Sequence, residues 1–118
     1  MNELYGLEVL LLDEAVAFLK GLEPRAADKV LYNIDRVAHG ERDSTLFKKL
    51  ANTNIWEFRT LYRKQAYRLF AFWDTGNRRL IVATHGIMKK SMKTPSTDIR
   101  KAEDIRKRYF EEREIWKK

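Results

Sequence analysis

Cysteine is absent from this 118-residue chain, which excludes a disulfide scaffold, a thiolate zinc site and a cysteine nucleophile. Only two histidines are present, so a histidine-rich metal site is not expected. No apolar run approaches the roughly 20 residues that a membrane-spanning helix needs, and the N-terminal Met1-Asn2-Glu3-Leu4 lacks the basic segment of a secretory signal. These absences predict a soluble, cytoplasmic protein without a metal or another cofactor.

Acidic residues are also scarce relative to basic ones. The chain has 17 Asp and Glu against 24 Lys and Arg, which leaves a formal net charge of +7, and such an excess fits a polyanionic partner. From Gly86 to Lys118 there are 11 Lys and Arg but only six Asp and Glu. This third of the chain therefore supplies most of the excess and favours a surface for a phosphate backbone.

The length and the uniform composition predict one compact domain over residues 1–118. Leu7 to Leu12 has the length and apolar character of a short buried strand, although a helical start also fits. Asp13 is placed to cap a helix through Leu19. From Pro24 to Ala38, apolar residues recur at helical spacing. These two helices are predicted to form a hairpin.

The middle of the chain changes to the period of β-structure. Three runs rich in aromatic and β-branched residues, Ile55 to Tyr62, Tyr67 to Trp73 and Leu80 to His85, are separated by two turn segments. They predict an antiparallel meander. Past it, Thr94 can cap a helix with Pro95 at its first position. That helix has an apolar stripe made of Ile99, Ala102, Ile105, Tyr109 and Phe110. The fold class is therefore α+β, with helices packed on an antiparallel sheet.

The first turn of the meander predicts a pair of facing arginines. A four-residue turn from Tyr62 to Gln65 places Arg59 directly opposite Arg68 and Glu57 opposite Phe70. Like charges so placed destabilise a sheet by up to about 1 kcal/mol. Either a carboxylate such as Glu57 neutralises one arginine, or the pair forms a phosphate site, since guanidinium groups match phosphate oxygens.

The second turn sets the position of His85. A loop from Asp74 to Asn77 would place Ala83 beside Arg68 and His85 beside Ala66, so that His85 joins the arginines on one face. His85 is then either a hydrogen-bonded structural residue or a group for proton transfer. The opposite face would carry an apolar set suited to covering by helices: Trp56, Phe58, Leu69, Ala71, Leu80 and Val82.

A basic loop follows the last predicted strand, with Lys89, Lys90 and Lys93 between Gly86 and Pro95. It is either an ordinary solvated loop or the rim of an anion site. Lys48 and Lys49, before the meander, either extend that patch or are bystanders. The sequence has no Walker loop, dinucleotide-binding glycine pattern or serine elbow.

Several of these segments together resemble the RelE/ParE superfamily of bacterial toxins, specifically its phage-derived HigB-like branch. The resemblance covers most of the chain. It rests on Phe47-Lys48-Lys49-Leu50, Ile55-Trp56-Glu57-Phe58-Arg59, Ala66-Tyr67-Arg68-Leu69-Phe70 and Thr84-His85-Gly86-Ile87-Met88-Lys89-Lys90-Ser91-Met92-Lys93-Thr94-Pro95.

The resemblance implies an N-terminal helical hairpin packed on a twisted antiparallel sheet, followed by a C-terminal helix. It also implies the toxin of a type II toxin-antitoxin system, a metal-independent endoribonuclease that cleaves mRNA on the ribosome. Its expected partners are mRNA, the ribosome and a helix-turn-helix, HigA-like antitoxin, with no membrane partner. ParE-type members of the same fold inhibit DNA gyrase instead, and a non-catalytic nucleic-acid-binding module is a further alternative.

The resemblance also assigns site residues. Arg68 occupies the position of the family's sheet arginine, Arg59 that of a basic residue on the preceding strand, and Lys89 or Lys90 that of the basic residue after the last strand. A tyrosine found after that loop in RelE is missing here. This leaves His85 and Lys90 as candidates to move protons, while Lys48, Lys49 and Lys93 are expected to bind RNA.

Overall fold

One five-stranded sheet lies between a pair of helices and a single long helix. The computed structural model describes residues 6–90 and 93–117, with side chains up to residue 113. The elements in chain order are β1 (Glu8–Leu11), α1 (Asp13–Lys20), α2 (Pro24–Ala38), β2 (Phe47–Lys49), β3 (Trp56–Tyr62), β4 (Gln65–Trp73), β5 (Leu80–Lys89) and α3 (Ser96–Lys117). No helix within these residues is long and apolar enough to cross a membrane.

The sheet has the order β1-β5-β4-β3-β2. The α+β class, the meander of β3, β4 and β5 and the strand predicted within Leu7 to Leu12 are confirmed, but the helical hairpin does not come first, as the resemblance implies, and the purely antiparallel sheet is wrong. The strand β1 precedes the helical hairpin and pairs in parallel with β5. The intervening helices carry the chain back across the sheet, which a parallel neighbour requires. A short edge strand, β2, pairs with β3 and was not predicted.

Two apolar layers hold the helices to the sheet. The hairpin of α1 and α2 packs on Phe58, Leu69, Ala71, Ile81 and Ala83. The opposite layer lies under α3 and contains Ile55, Phe70, Phe72, Val82 and Ala102. Leu80 also packs there, so the predicted position of Leu80 and Val82 on the face of Phe58 and Leu69 is wrong, and Ile81 and Ala83 take their place.

Helix α2 has the predicted bounds. Its buried residues recur at helical spacing, as in a surface helix that packs one face on the core. The predicted caps are wrong at the other two helices. Leu12 occupies the cap position of α1, and Asp13 is its first helical residue. At that position the negative charge of Asp13 interacts favourably with the helix dipole. Helix α3 begins at Ser96, and the Pro95 carbonyl accepts hydrogen bonds from its first turn.

The pairing of β3 with β4 has the predicted register, with Arg59 opposite Arg68. The hairpin turns through Arg63 and Lys64, both at positive φ, as a two-residue turn of this kind requires. The register of β4 with β5 differs from the prediction. Ala66 pairs with Lys89 rather than His85, and Arg68 pairs with Ile87 rather than Ala83.

Two features explain this register. The loop after β4 is longer than predicted, because the Asp74 carboxylate accepts hydrogen bonds from the backbone N–H groups of Gly76 and Asn77. A bulge between Leu69 and Ala71 then shifts the pairing by one residue, which exchanges the faces that β5 side chains occupy. The result carries β5 on to Lys89 beside the arginines.

Candidate functional site

Charged side chains from four neighbouring strands, β2, β3, β4 and β5, meet on one face of the sheet. Arg59 and Arg68 face each other, and Glu57 lies two residues before Arg59 on the same face. Lys48 on β2 pairs with Glu57, and Lys89 on β5 lies opposite Ala66. Lys48, Arg59, Arg68 and Lys89 are called the cation cluster below.

Glu57 is the one carboxylate at the centre of the cation cluster within the described residues. It is 2% exposed, and its Oε1 lies 3.5 Å from the Nε atoms of both Arg59 and Arg68. A single buried carboxylate therefore faces two guanidinium groups. Burying a charge is favourable only when it is paired, and this pairing explains how the two arginines remain opposite each other.

Thr94 connects the segment before α3 to this carboxylate. Its hydroxyl donates to Glu57 Oε2 at 3.5 Å and accepts from Lys89 Nζ at 3.4 Å. Thr94 is thus not a helix cap but a bridge between Lys89 and Glu57.

The electrostatics of the cluster show a surplus of positive charge. Burial, and then the neighbouring Arg59, lower the pKa of Arg68, although Glu57 acts against them. Burial also lowers the pKa of Lys89, as do Arg68, Arg59 and Lys48. Four cations surround one carboxylate, so an anion that enters here is attracted by charge that the protein itself does not neutralise.

The two guanidinium groups have hydrogen-bonding capacity to spare. Arg59 donates to the Ser44 carbonyl and Arg68 to the Tyr67 carbonyl. Among the described atoms, however, neither Nε has a partner with hydrogen-bond geometry. Both Nε atoms are buried and face Glu57 Oε1 at 3.5 Å, and the remaining terminal N–H groups of the two guanidinium groups suit an oxyanion such as phosphate.

His85 lies on the same side of the sheet but in a different environment. It is 4% exposed, its ring packs against Phe70 with the ring centroids 4.9 Å apart, and its Nδ1 lies 2.9 Å from Thr84 Oγ1. Its Nε2 lies 3.2 Å from Asp98 Oδ1 on α3. Burial lowers the His85 pKa, while Asp98 acts in the opposite direction. Both ring nitrogens are therefore engaged inside the protein.

The remaining predicted lysines are all exposed. Lys49 is exposed on β2 opposite Trp56, on the reverse face of the sheet from Lys48. Lys90 is exposed directly after β5, and Lys93 is exposed before α3. The structure thus brings together Lys48, Arg59, Arg68 and Lys89, and leaves Lys49 out of that group.

Sequence reasoning gave Glu57 only the alternative role of neutralising an arginine, and it gave Thr94 the wrong role. The signal for Glu57 is the alternation in Trp56-Glu57-Phe58-Arg59, which puts the carboxylate and the guanidinium on one face. The contact of Thr94 has no comparable signal, because it depends on the path of the chain between β5 and α3.

Comparison with solved structures shows which fold this is. The chain is similar to a chain in the crystal structure of the toxin-antitoxin complex RelBE2 from Mycobacterium tuberculosis, with a TM-score of 0.53 and 19% sequence identity. The match covers 77% of this chain and 100% of that chain. At this identity the likeness shows the fold, which is RelE-like.

The family follows from the sequence itself. The family model described as "Phage derived protein Gp49-like" matches residues 17–107, well over half of the chain, whereas no curated protein matches. The chain belongs to this phage-derived Gp49-like family. The predicted membership of the RelE/ParE superfamily is thereby confirmed.

Proposed function

We propose that the protein is the toxin of a type II toxin-antitoxin system and acts in the cytoplasm as a ribosome-dependent mRNA endoribonuclease of the HigB-like kind. The observation that carries this proposal is the cation cluster, in which Arg59 and Arg68 face each other across one carboxylate. Its surplus charge and unused guanidinium donors suit a phosphodiester. Family membership and the RelE-like fold support the same class.

The proposed reaction needs no metal. The 2′-hydroxyl of one nucleotide loses its proton to water as it attacks the adjacent phosphorus, the bond from phosphorus to the 5′-oxygen breaks, and a 2′,3′-cyclic phosphate and, once the 5′-oxygen is protonated, a 5′-hydroxyl result. Arg59 and Arg68 stabilise the negative charge that builds on the phosphoryl oxygens. Donors placed in advance where charge develops are worth a factor of about 10² to 10³ in rate.

We assign the proton that the leaving 5′-oxygen requires to Lys89. Its ammonium group lies within the cation cluster, and burial and the neighbouring cations lower its pKa, which makes proton donation easier at neutral pH. His85 is assigned a supporting role, because its ring nitrogens contact Thr84 and Asp98. It orients α3 through its contact with Asp98.

The lysines other than Lys89 have binding roles in this proposal. Lys48, Lys90 and Lys93 contact the phosphate backbone of the mRNA, and Lys49 on the reverse face of the edge strand contacts ribosomal RNA. The chemistry lacks a strong base among the clustered side chains. A substrate held in its reactive shape by the ribosome compensates for that weakness, since orientation alone supplies a large part of a barrier reduction.

An antitoxin partner completes the proposal. The RelE-like fold neighbour was solved as a toxin-antitoxin complex, and the exposed basic face of this chain needs to be neutralised when the toxin is silent. We infer a HigA-like, helix-turn-helix antitoxin as that partner.

The test is primer-extension mapping of a translated mRNA after brief expression of the protein. New 5′ ends within the reading frame should appear with the parent chain and vanish with Arg68→Ala and with free RNA. Arg79→Ala is the matched control, because Arg79 is exposed in the turn before β5, and it should cleave like the parent. Growth arrest with intact mRNA would overturn the nuclease and redirect the search to DNA gyrase.

A further inference from the structure

An exposed apolar side chain lies next to the cation cluster. Leu61 is 69% exposed, the largest exposed fraction of any large apolar side chain in the described part of the chain. It is two residues beyond Arg59 on β3 and pairs with Ala66, which in turn pairs with Lys89. Leu61 therefore shares the face of the cluster.

Leu61 and the arginines belong to one surface feature. Arg59, Leu61, Ala66 and Arg68 line a shallow depression together with Thr45 and Thr60. Residues two apart on a strand lie about 6 to 7 Å from each other, so an apolar shelf of Leu61 and Ala66 lies one step from the guanidinium groups. The neighbouring turn through Arg63 and Lys64 keeps β3 and β4 in register at this point.

We propose that Leu61 and Ala66 form a platform for the nucleobase next to the phosphate that Arg59 and Arg68 bind. The inference rests on the proposed function and adds a contact that tells RNA from a bare phosphate chain. The occupant is argued from charge complementarity, since an apolar surface continuous with four cations fits a ligand that is both flat and anionic. A single-stranded nucleotide has this character, with an apolar face on its base and a charge on its phosphate.

The experiment measures binding without cleavage, by fluorescence anisotropy at low salt. The probes are a short single-stranded RNA with 2′-O-methyl groups, which cannot undergo the 2′-hydroxyl attack, and an abasic backbone of the same length. The parent chain should bind the RNA more tightly than the abasic backbone. Leu61→Ala should weaken RNA binding by about tenfold, the value of roughly two buried methylene groups, and leave the abasic backbone unchanged.

Two further variants keep the result interpretable. Leu31→Ala makes the same change at an exposed leucine on α2 and should bind both probes like the parent. Leu61→Phe should retain or strengthen RNA binding, because an aromatic ring stacks on a base.

Equal losses for the two probes in Leu61→Ala would overturn the proposal, since Leu61 would then only support the arginines. Unchanged RNA binding, or no preference of the parent for RNA over the abasic backbone, would also overturn it, and unchanged RNA binding with weakened antitoxin binding would make the shelf a protein contact. Failure of the mRNA mapping with the base preference intact would overturn the nuclease alone.

Discussion

Two buried carboxylates on the same face of the sheet have opposite surroundings. Asp74 and Glu57 are each 2% exposed. Asp74 accepts hydrogen bonds from the N–H groups of Gly76 and Asn77 at 2.7 and 3.0 Å, from the Tyr109 hydroxyl at 2.7 Å and from Arg113. The contacts of Glu57 with its two guanidinium groups and with Thr94 are all 3.5 Å.

This difference separates a structural charge from the proposed binding site. The hydrogen bonds of Asp74 saturate both of its oxygens, and they fasten the far half of α3 to the loop between β4 and β5. Glu57 makes longer contacts to more cations, which leaves donors and positive charge for another anion. A buried carboxylate therefore indicates a site here only when its cations are in surplus.

The largest expected effect is the difference in cleavage rate between two variants, each of which removes one arginine from one of the two regions. Arg68→Ala should slow cleavage of a translated mRNA by about 10²-fold or more, because one preorganised cation is lost. Arg113→Ala should leave the rate nearly unchanged per folded molecule, although it loosens α3. Initial rates at equal folded concentration check this. Equal losses in the two variants would contradict the distinction between the regions.

A smaller effect is expected on stability when the Asp74 charge is removed. Asp74→Asn should lower the free energy of unfolding by about 2 kcal/mol at pH 7, measured by urea denaturation, because Tyr109 and Arg113 lose a charged acceptor. Burial acts to raise the Asp74 pKa, but the hydrogen bonds from Tyr109, Gly76 and Arg113 prevail and lower it from 3.8. Such a contribution is present above the unfolded pKa and is lost as pH falls through the folded pKa.

The difference between the parent and Asp74→Asn should accordingly shrink below about pH 4. A gap that stays constant into acid would show that the Asp74 charge is not what stabilises the loop.

Tyr109 provides a test of the same region through the stability of the protein at alkaline pH. Burial, then the hydrogen bond to Asp74 and its charge, raise the Tyr109 pKa from 10.0 to about 12. A raised folded pKa contributes stability that is complete below the unfolded pKa and lost as pH rises through the folded value. Tyr109→Phe should cost about 1 kcal/mol at pH 7 and reduce the loss of stability between about pH 10 and 12.

Exposed Tyr32 on α2 provides the control for that measurement. Tyr32→Phe should keep the parent's alkaline unfolding profile, and a Tyr109→Phe profile that matches the parent would contradict the prediction.

The smallest expected effect is a shift in the pKa of Lys89 in the cation cluster. Glu57 acts to raise the Lys89 pKa against burial and three cations, so Glu57→Gln should move that pKa further down. The pH dependence of Lys89 acetylation, followed by mass spectrometry, measures the shift. Lys20 at the end of α1, far along the chain from the cluster, should react identically in both proteins, and an upward shift at Lys89 would contradict the assignment.

Local patterns predicted the parts of the fold that depend on near neighbours. The bounds of α2 follow from its apolar period between Pro24 and Ala38, and the facing of Arg59 and Arg68 follows from a turn only a few residues away. The strands β1 and β2 have only four and three residues, too few for a period to separate strand from helix or loop.

The sequence alone determined the excess of positive charge, the helical hairpin, and the arginine pair on one sheet face. Only the tertiary structure decided that Lys89 joins this pair and that His85 contacts Asp98 instead. The cause is the register of β5, which depends on a bulge and on a loop whose Asp74 is held by Tyr109 and Arg113. Those partners are 35 and 39 residues away along the chain, and a one-residue change in register moves every side chain to the other face.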